Sequence, residues 1–500
     1  MEGAVTGQDA TQSTGADVRS GLKWVSLSLG LAKASRILTM FVLADLLTKE
    51  AFGLVAMATI VVTLMGVLRE MGFSQAYIYV RQQGADSRRA INTMFVLSSL
   101  VGIALFAGAF AAAPWIASLF KDSEGLDWVL RAMLVGFLIQ PFTTTPSCVL
   151  QKDMKFQKLS YGQISDGFTY CIVGITLAFA GFGVWSIVIG YISSRVVASI
   201  VLMSAAGWRP SFEFDRGIAV QLFTYGKYLW GMSIISTIGS VLDRGIIART
   251  LGSSLTGTYQ IAYTLCVAPA VQASLVLNRV VFPAMSRMQN DTAALRRAFI
   301  KVLSHVTLVA LPVAVGTIAV SETFVRALWA EKWVDAVPVI NVLALYGLTL
   351  SLGAVTTPTL KAAGKPNVLM WTSLGHFVLL MIAFGLAWGH GMVAVAWATV
   401  VPLVLGSAFA VYLMTIYLSC TTWDVLGPFV RCGAAALVMF IAVRWFQAQV
   451  ALDLRLELAA AVVIGAGVYV LASLGLNKRM FNEVAVTLKE TLGKRRQEVS

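Results

Sequence analysis

Lys33 and Arg36 stand about one helical turn apart in residues 23–46, a stretch that is otherwise largely apolar. Arg69, Arg244 and Arg279 occupy three further stretches of the same kind. A charge held at mid-bilayer costs at least a few kcal/mol unless it is paired or wet, so each of these side chains marks a hydrated path, an ion pair or the interfacial end of a helix. The chemistry open to them is charge-assisted hydrogen bonding to an anion, with forked donors from guanidinium and a point charge from ammonium. In residues 221–248 the polar groups are regular: Ser233, Thr237, Ser240 and Arg244 fall in one narrow helical stripe with Ser236 and Asp243 beside it, while the opposite side is Leu, Ile and Gly. On one reading, Lys33, Arg36 and Arg244 line a wet cationic cavity that takes an anionic head group. On the other, the Ser and Thr residues are small groups at helix contacts and Arg244 snorkels outward.

The remaining embedded polar groups are few. Arg69 and Glu70, with Thr59, Thr63 and Gly66 on the same face, and Arg279 lie toward one end of their stretches, either at the mouth of such a cavity or at the membrane interface. Asp166 and Arg195 sit in neighbouring stretches, as a buried ion pair in preference to proton-coupling groups. His305 and His376 are expected as hydrogen-bonded packing residues before proton relays.

The elements that must position these groups are long apolar helices. Fourteen stretches of membrane-spanning length, separated by short loops, fill most of the 500 residues. About 20 apolar residues cross a bilayer as a helix, because unpaired backbone groups cannot be left in hydrocarbon. The mean hydropathy is +0.78 and charged residues make up 13%, about half the share of a soluble domain. The net charge of +13 would fit nucleic acid only if a polar domain carried it, and no segment is long or polar enough to be one. It fits the positive-inside rule: with a cytoplasmic N-terminus, roughly 24 of the 38 Lys and Arg fall in inside loops and tails and about eight outside. Both termini are then cytoplasmic. Residues 1–20 read as a disordered tail without a cleavable signal, and the basic segment 477–500 as a second cytoplasmic tail. Trp24, Trp115, Trp128, Trp185, Trp329, Trp388 and Trp423 fall near span ends, as an aromatic belt places them. Pro146, Pro269, Pro283, Pro312, Pro358 and Pro402 predict breaks or kinks. The five cysteines show no metal-type spacing, and no disulfide, metal or cofactor is expected.

An internal repeat organises the spans. An offset of 204 residues brings Lys23, Leu38, Ala44, Leu47, Gly53 and Ala58 onto Lys227, Leu242, Ala248, Leu251, Gly257 and Ala262. Thr144-Thr145-Pro146 recurs as Thr356-Thr357-Pro358, and Gly181 and Gly183 recur as Gly389 and Gly391. The expected architecture is all-α: a six-helix bundle over 21–206, a cytoplasmic linker over 207–222, a second six-helix bundle over 223–417, and two extra spans within 427–476. Two parallel halves of this kind make a cavity between them and give alternating access, which points to a secondary transporter. The absence of a P-loop signature argues against an ATP-driven pump.

Gly21-x-Lys23-Trp24 opening the first span, Arg36, Leu43-Ala44, Phe52-Gly53 and Glu70-Met71-Gly72-Phe73 resemble the start of bacterial lipid-linked oligosaccharide flippases and polysaccharide exporters. These belong to the multidrug/oligosaccharidyl-lipid/polysaccharide superfamily, and the resemblance is to the colanic acid exporter or succinoglycan transport type. It implies a V-shaped inner-membrane protein of two six-helix bundles plus two helices. Such a protein moves undecaprenyl-diphosphate-linked oligosaccharide repeat units to the periplasmic leaflet for exopolysaccharide or lipopolysaccharide biosynthesis. It implies membrane lipids, a polysaccharide polymerase and export machinery as partners, and no catalytic residues. Basic cavity residues hold the diphosphate-sugar in that family, a role that falls by position on Arg36, with Lys33, Arg244 and Arg279 beside it. Two other classes stay open. A drug or ion antiporter of the same superfamily calls for acidic, cation-coordinating residues, whereas the embedded charges here are mostly basic. A polytopic polymerase or glycosyltransferase calls for a long extracytoplasmic loop, and those around 114–128 and 321–336 are short.

Overall fold

The computed structural model describes residues 30–79, 85–288, 291–364, 366–450 and 452–476; the tails expected at 1–20 and 477–500 lie outside them. All regular structure among the described residues is helical. The order is α1 (30–46), α2 (Lys49–Glu70), α3 (Phe73–Tyr79), α4 (Ala85–Ser118), α5 (Leu126–Leu134), α6 (Gly136–Lys152), α7 (Phe156–Phe179), α8 (Val184–Ala206) and α9 (Arg216–Thr250), then α10 (Ser253–Ser286), α11 (Thr292–Trp329), α12 (Val337–Ala362), α13 (Pro366–Ala387), α14 (Met392–Tyr417), α15 (Thr422–Gln449) and α16 (Leu454–Leu476). Among the described residues, 10 helical segments are long and apolar enough to cross a membrane, which makes the chain a multi-span membrane protein. That is fewer than the fourteen expected. The helices α1, α7, α9 and α10 fall outside the set, and the polar residues of interest contribute to this: α7 carries Gln163 and Asp166, and α9 carries Lys227, Asp243 and Arg244.

The chain divides into two compact units, one ending at Gly257 and one starting at Thr258, beyond the linker expected at 207–222. The reason is the packing of α9 onto α2, α3 and α4. Trp230 donates its indole N–H to the Val67 carbonyl (2.8 Å), and Arg249 donates to the Leu119 carbonyl (2.8 Å). The segment before α9 is strapped to α4 as well: Asn92 donates to Glu213 (3.1 Å), the Asp215 N–H to Thr93 Oγ1 (3.1 Å), and Trp208 lies edge-on to Phe95 at 5.1 Å. Asp215 then caps α9 by accepting from the Ile218 N–H at 3.0 Å. The core of this unit is formed by Met57, Ile60, Leu126, Leu130, Phe137, Val188 and Val241.

In the second unit α11 packs on α12, α15 and α16, and α13 on α14. Arg296 ties α11 to the start of α15 through Asp424 (2.5 Å), a residue that also completes a capping box with Thr421. Tyr469 on α16 donates to the Leu308 carbonyl at 2.8 Å. His376 holds the Pro402 carbonyl at 3.2 Å, a packing contact between α13 and α14. The helices run on through Pro146, Pro312, Pro358 and Pro402. One member of the expected aromatic belt is corrected: Trp329 is 3% exposed and packs edge-on to the buried Trp333. Trp115, Trp128, Trp185, Trp388 and Trp423 are exposed, and Trp24 lies outside the described residues.

Within the first unit, Gly53 and Gly257 mark an unusually close backbone crossing. A Cβ on Gly53 would stand 1.8 Å from the Ser253 carbonyl oxygen, and a Cβ on Gly257 would stand 2.2 Å from the Lys49 carbonyl oxygen. The two contacts exchange under the 204-residue offset read from the sequence. Gly53→Val must displace backbone and is expected to cost about 2 kcal/mol or more. Fluorescence-detected gel filtration of detergent extracts should show far less monodisperse protein than wild type, while Gly66→Val, which faces open space, should extract normally.

Candidate functional site

Three helices of the first unit bring charge together at one carboxylate. Asp166 on α7 takes Arg36 Nη2 of α1 on Oδ2 at 2.5 Å. Its Oδ1 accepts the Ser194 hydroxyl at 3.0 Å and lies 3.7 Å from Arg195 Nη1, both on α8. Each guanidinium also lies over a tyrosine ring 5.4 Å from its centroid, Arg36 over Tyr170 and Arg195 over Tyr191. Lys33, one turn before Arg36, is exposed. The group therefore holds Arg36 and Arg195 against one carboxylate, a net excess of positive charge, with the exposed Lys33 one turn from Arg36 on α1. The arginine side chains are more open, at 38% and 29% exposed, than Asp166 at 15%.

Glycines allow the helices to come this close. A Cβ on Gly167 would stand 2.7 Å from Ser35 Oγ and 2.9 Å from Ala32 Cα, so α1 rests directly on α7 next to Asp166. One face further along α7, a Cβ on Gly174 would touch Thr39, and a Cβ on Gly190 of α8 would stand 3.3 Å from Gly174 Cα. Without a hydrophobic driving force between helices in lipid, contacts of small residues and buried hydrogen bonds of this kind carry association.

The other expected site residues lie elsewhere. Arg69 on α2 is 3% exposed, its stem runs against Gly102 of α4, and its Nε has no hydrogen-bond partner among the described residues. It is a core residue and does not mark a solvated mouth. Arg244 turns back on its own helix, donating to the Ser240 carbonyl and pairing with Asp243 at 3.4 Å. Asp243 is buried, Ser233 and Thr237 are half-buried, and Ser240 is exposed. Arg279 falls in α10, with its side chain outside the described residues. Tyr170, Tyr191 and Ser194 were not anticipated, yet a signal for the tyrosines was present: Tyr170 follows Asp166 by four residues and Tyr191 precedes Arg195 by four, the spacing that stacks side chains on one helix face.

An excess of guanidinium donors on aromatic supports can bind a phosphate or other polyanion. Residues 42–338 match the model of a family described as "Polysaccharide biosynthesis protein". The chain is 26% identical over 464 residues to the teichuronic acid biosynthesis protein TuaB of Bacillus subtilis (strain 168), covering 89% of this chain and 94% of that protein. It is 26% identical over 462 residues to the succinoglycan biosynthesis transport protein ExoT of Rhizobium meliloti (strain 1021), covering 90% and 92%. Its fold matches that of the lipid II flippase MurJ in an inward closed conformation, with a TM-score of 0.75, 15% identity, and coverage of 91% of this chain and 99% of that chain.

Gly167→Val forces α1 away from α7 and is expected to cost about 1–3 kcal/mol. A thermal scan of the purified protein should show a lowered unfolding midpoint; an unchanged midpoint would mean that α1 does not depend on this contact.

Proposed function

The chain belongs to the polysaccharide biosynthesis protein family, and on that premise we propose that it is a flippase for undecaprenyl-diphosphate-linked oligosaccharide repeat units. It works in the bacterial inner membrane, supplies exopolysaccharide or lipopolysaccharide synthesis, and hands its product to a polymerase and export machinery. The observation that carries this reading is the pairing of Arg36 and Arg195 with the single carboxylate of Asp166, partly open and in excess of their anion, with Lys33 one turn from Arg36. A diphosphate offers two anionic groups to forked donors, while the lipid tail stays in hydrocarbon. Arg36 is the first contact, with Lys33 and Arg195 beside it. Arg244, with Ser233, Thr237 and Ser240 on the same helix, contributes a polar lining further along the path.

Flipping makes and breaks no bond, so the protein acts as a transporter and needs no cofactor. Alternating access exposes the cationic cluster to one leaflet at a time. With α1, α7, α9 and α10 taken as spans beside the 10 long apolar helical segments, the total is fourteen, an even number that puts both termini on one side of the membrane, and the positive-inside rule makes that side cytoplasmic. The duplication supplies two six-helix repeats, 21–206 and 223–417, and the two helices within 427–476 are an addition to them.

In a deletion strain, polysaccharide export is expected to stop and lipid-linked repeat units to accumulate, with wild type restoring export and Arg36→Ala failing to restore it at equal membrane abundance. Normal export in the deletion strain would reject the flippase; rescue by Arg36→Ala would keep the function and remove the site. For topology, a fluorescent protein fused after Ser500 should fluoresce and an alkaline phosphatase fused there should stay inactive.

A further inference from the structure

We infer that Asp166 is an internal stand-in for the substrate's diphosphate, a counter-ion that the arriving head group displaces from Arg36 and Arg195. This rests on the flippase reading and adds to it a positioning and release role for one acidic residue. Among the described residues, the ion pairs of Arg36 and of Arg195 both end on this carboxylate, one on each oxygen. Neither guanidinium depends on it alone for its orientation, because each is also held over a tyrosine ring. The exposures run the right way for exchange: the donors at 38% and 29% are more open than the acceptor at 15%, so an incoming anion meets the arginines first.

The carboxylate does two things in the empty protein. It offsets part of the charge that would otherwise sit unpaired in a low-dielectric region. It also keeps the two guanidiniums about one anionic group apart. When a diphosphate bridges them, Asp166 is left with the Ser194 hydroxyl and repels the bound anion. That repulsion weakens binding and favours release, which transport requires: a site must be attractive enough to fill and weak enough to empty. An acidic residue among basic ones is thus explained as the device that keeps a polyanion from being trapped.

The test uses the full-length protein in lipid nanodiscs, with undecaprenyl diphosphate as the probe and inorganic pyrophosphate as competitor. Asp166→Asn keeps the size and the hydrogen bond from Ser194 but removes the charge. It is expected to bind the probe about tenfold more tightly and, in proteoliposomes, to flip it more slowly, so that KM and kcat fall together. Asp166→Glu should restore most of the rate. Binding by Asp166→Asn equal to or weaker than wild type, with Arg36→Ala abolishing it, would overturn the stand-in role and leave the binding site intact as a structural tie. No binding by wild type at all, and no effect of Arg36→Ala, would overturn the underlying site as well. A second measurement needs no variant: labelling of Asp166 by a hydrophobic carbodiimide in wild type should rise when the probe is added. Protection of Asp166 by the probe, or unchanged labelling, would also overturn the proposal.

Discussion

A guanidinium cannot shed its charge, so one placed in the apolar run of a membrane helix must find an anion or water. In the first unit of this protein Arg36 and Arg195 find the same anion, Asp166. Three helices are thereby committed to one another, with α1 and α7 joined across 130 residues and the consecutive α7 and α8 across 28. Among the described residues two guanidiniums share one carboxylate, with an ammonium one turn from Arg36, an excess of positive charge over its anion. The proposed transport function depends on that remainder.

The charge group can exist only because the backbones approach closely. Gly167 sits next to Asp166 in the chain and is the point where α1 lies against α7. Gly174 and Gly190 bring α7 and α8 together on the way to Ser194 and Arg195. In water such contacts would be driven by burial of large apolar side chains; here Phe168, Ile172 and Phe179 of α7 remain exposed, as side chains that meet lipid do. Small residues set the distance and polar residues lock the register.

Much of the site was legible and some was not. Lys33 and Arg36 were recognisable because fixed charges in an apolar run are costly wherever the helix goes. The pairing of Asp166 with Arg195 was legible because their spans are consecutive and so adjacent. That Arg36 joins the same carboxylate was not, since helical periodicity says which face a residue occupies and nothing about which helix that face meets. Arg69 illustrates the same gap: its sequence position near the end of an apolar run fitted an interfacial role, but α4 covers it in the core. Trp329 fitted an aromatic belt by its place at a helix end, and Trp333 four residues on turns it inward.

By itself, then, the sequence determined the class of the molecule, because hydropathy and length decide whether a segment can live in hydrocarbon. It carried the matched residues at a nearly constant offset on which the expected repeat rests, and it determined which charges would need partners. Tertiary structure alone decided who the partners are and where the compact units part. Those outcomes depend on helix-to-helix distances set by single glycines and on the packing of α9 onto α2, α3 and α4, contacts between residues whose separation along the chain carries no trace of their separation in space.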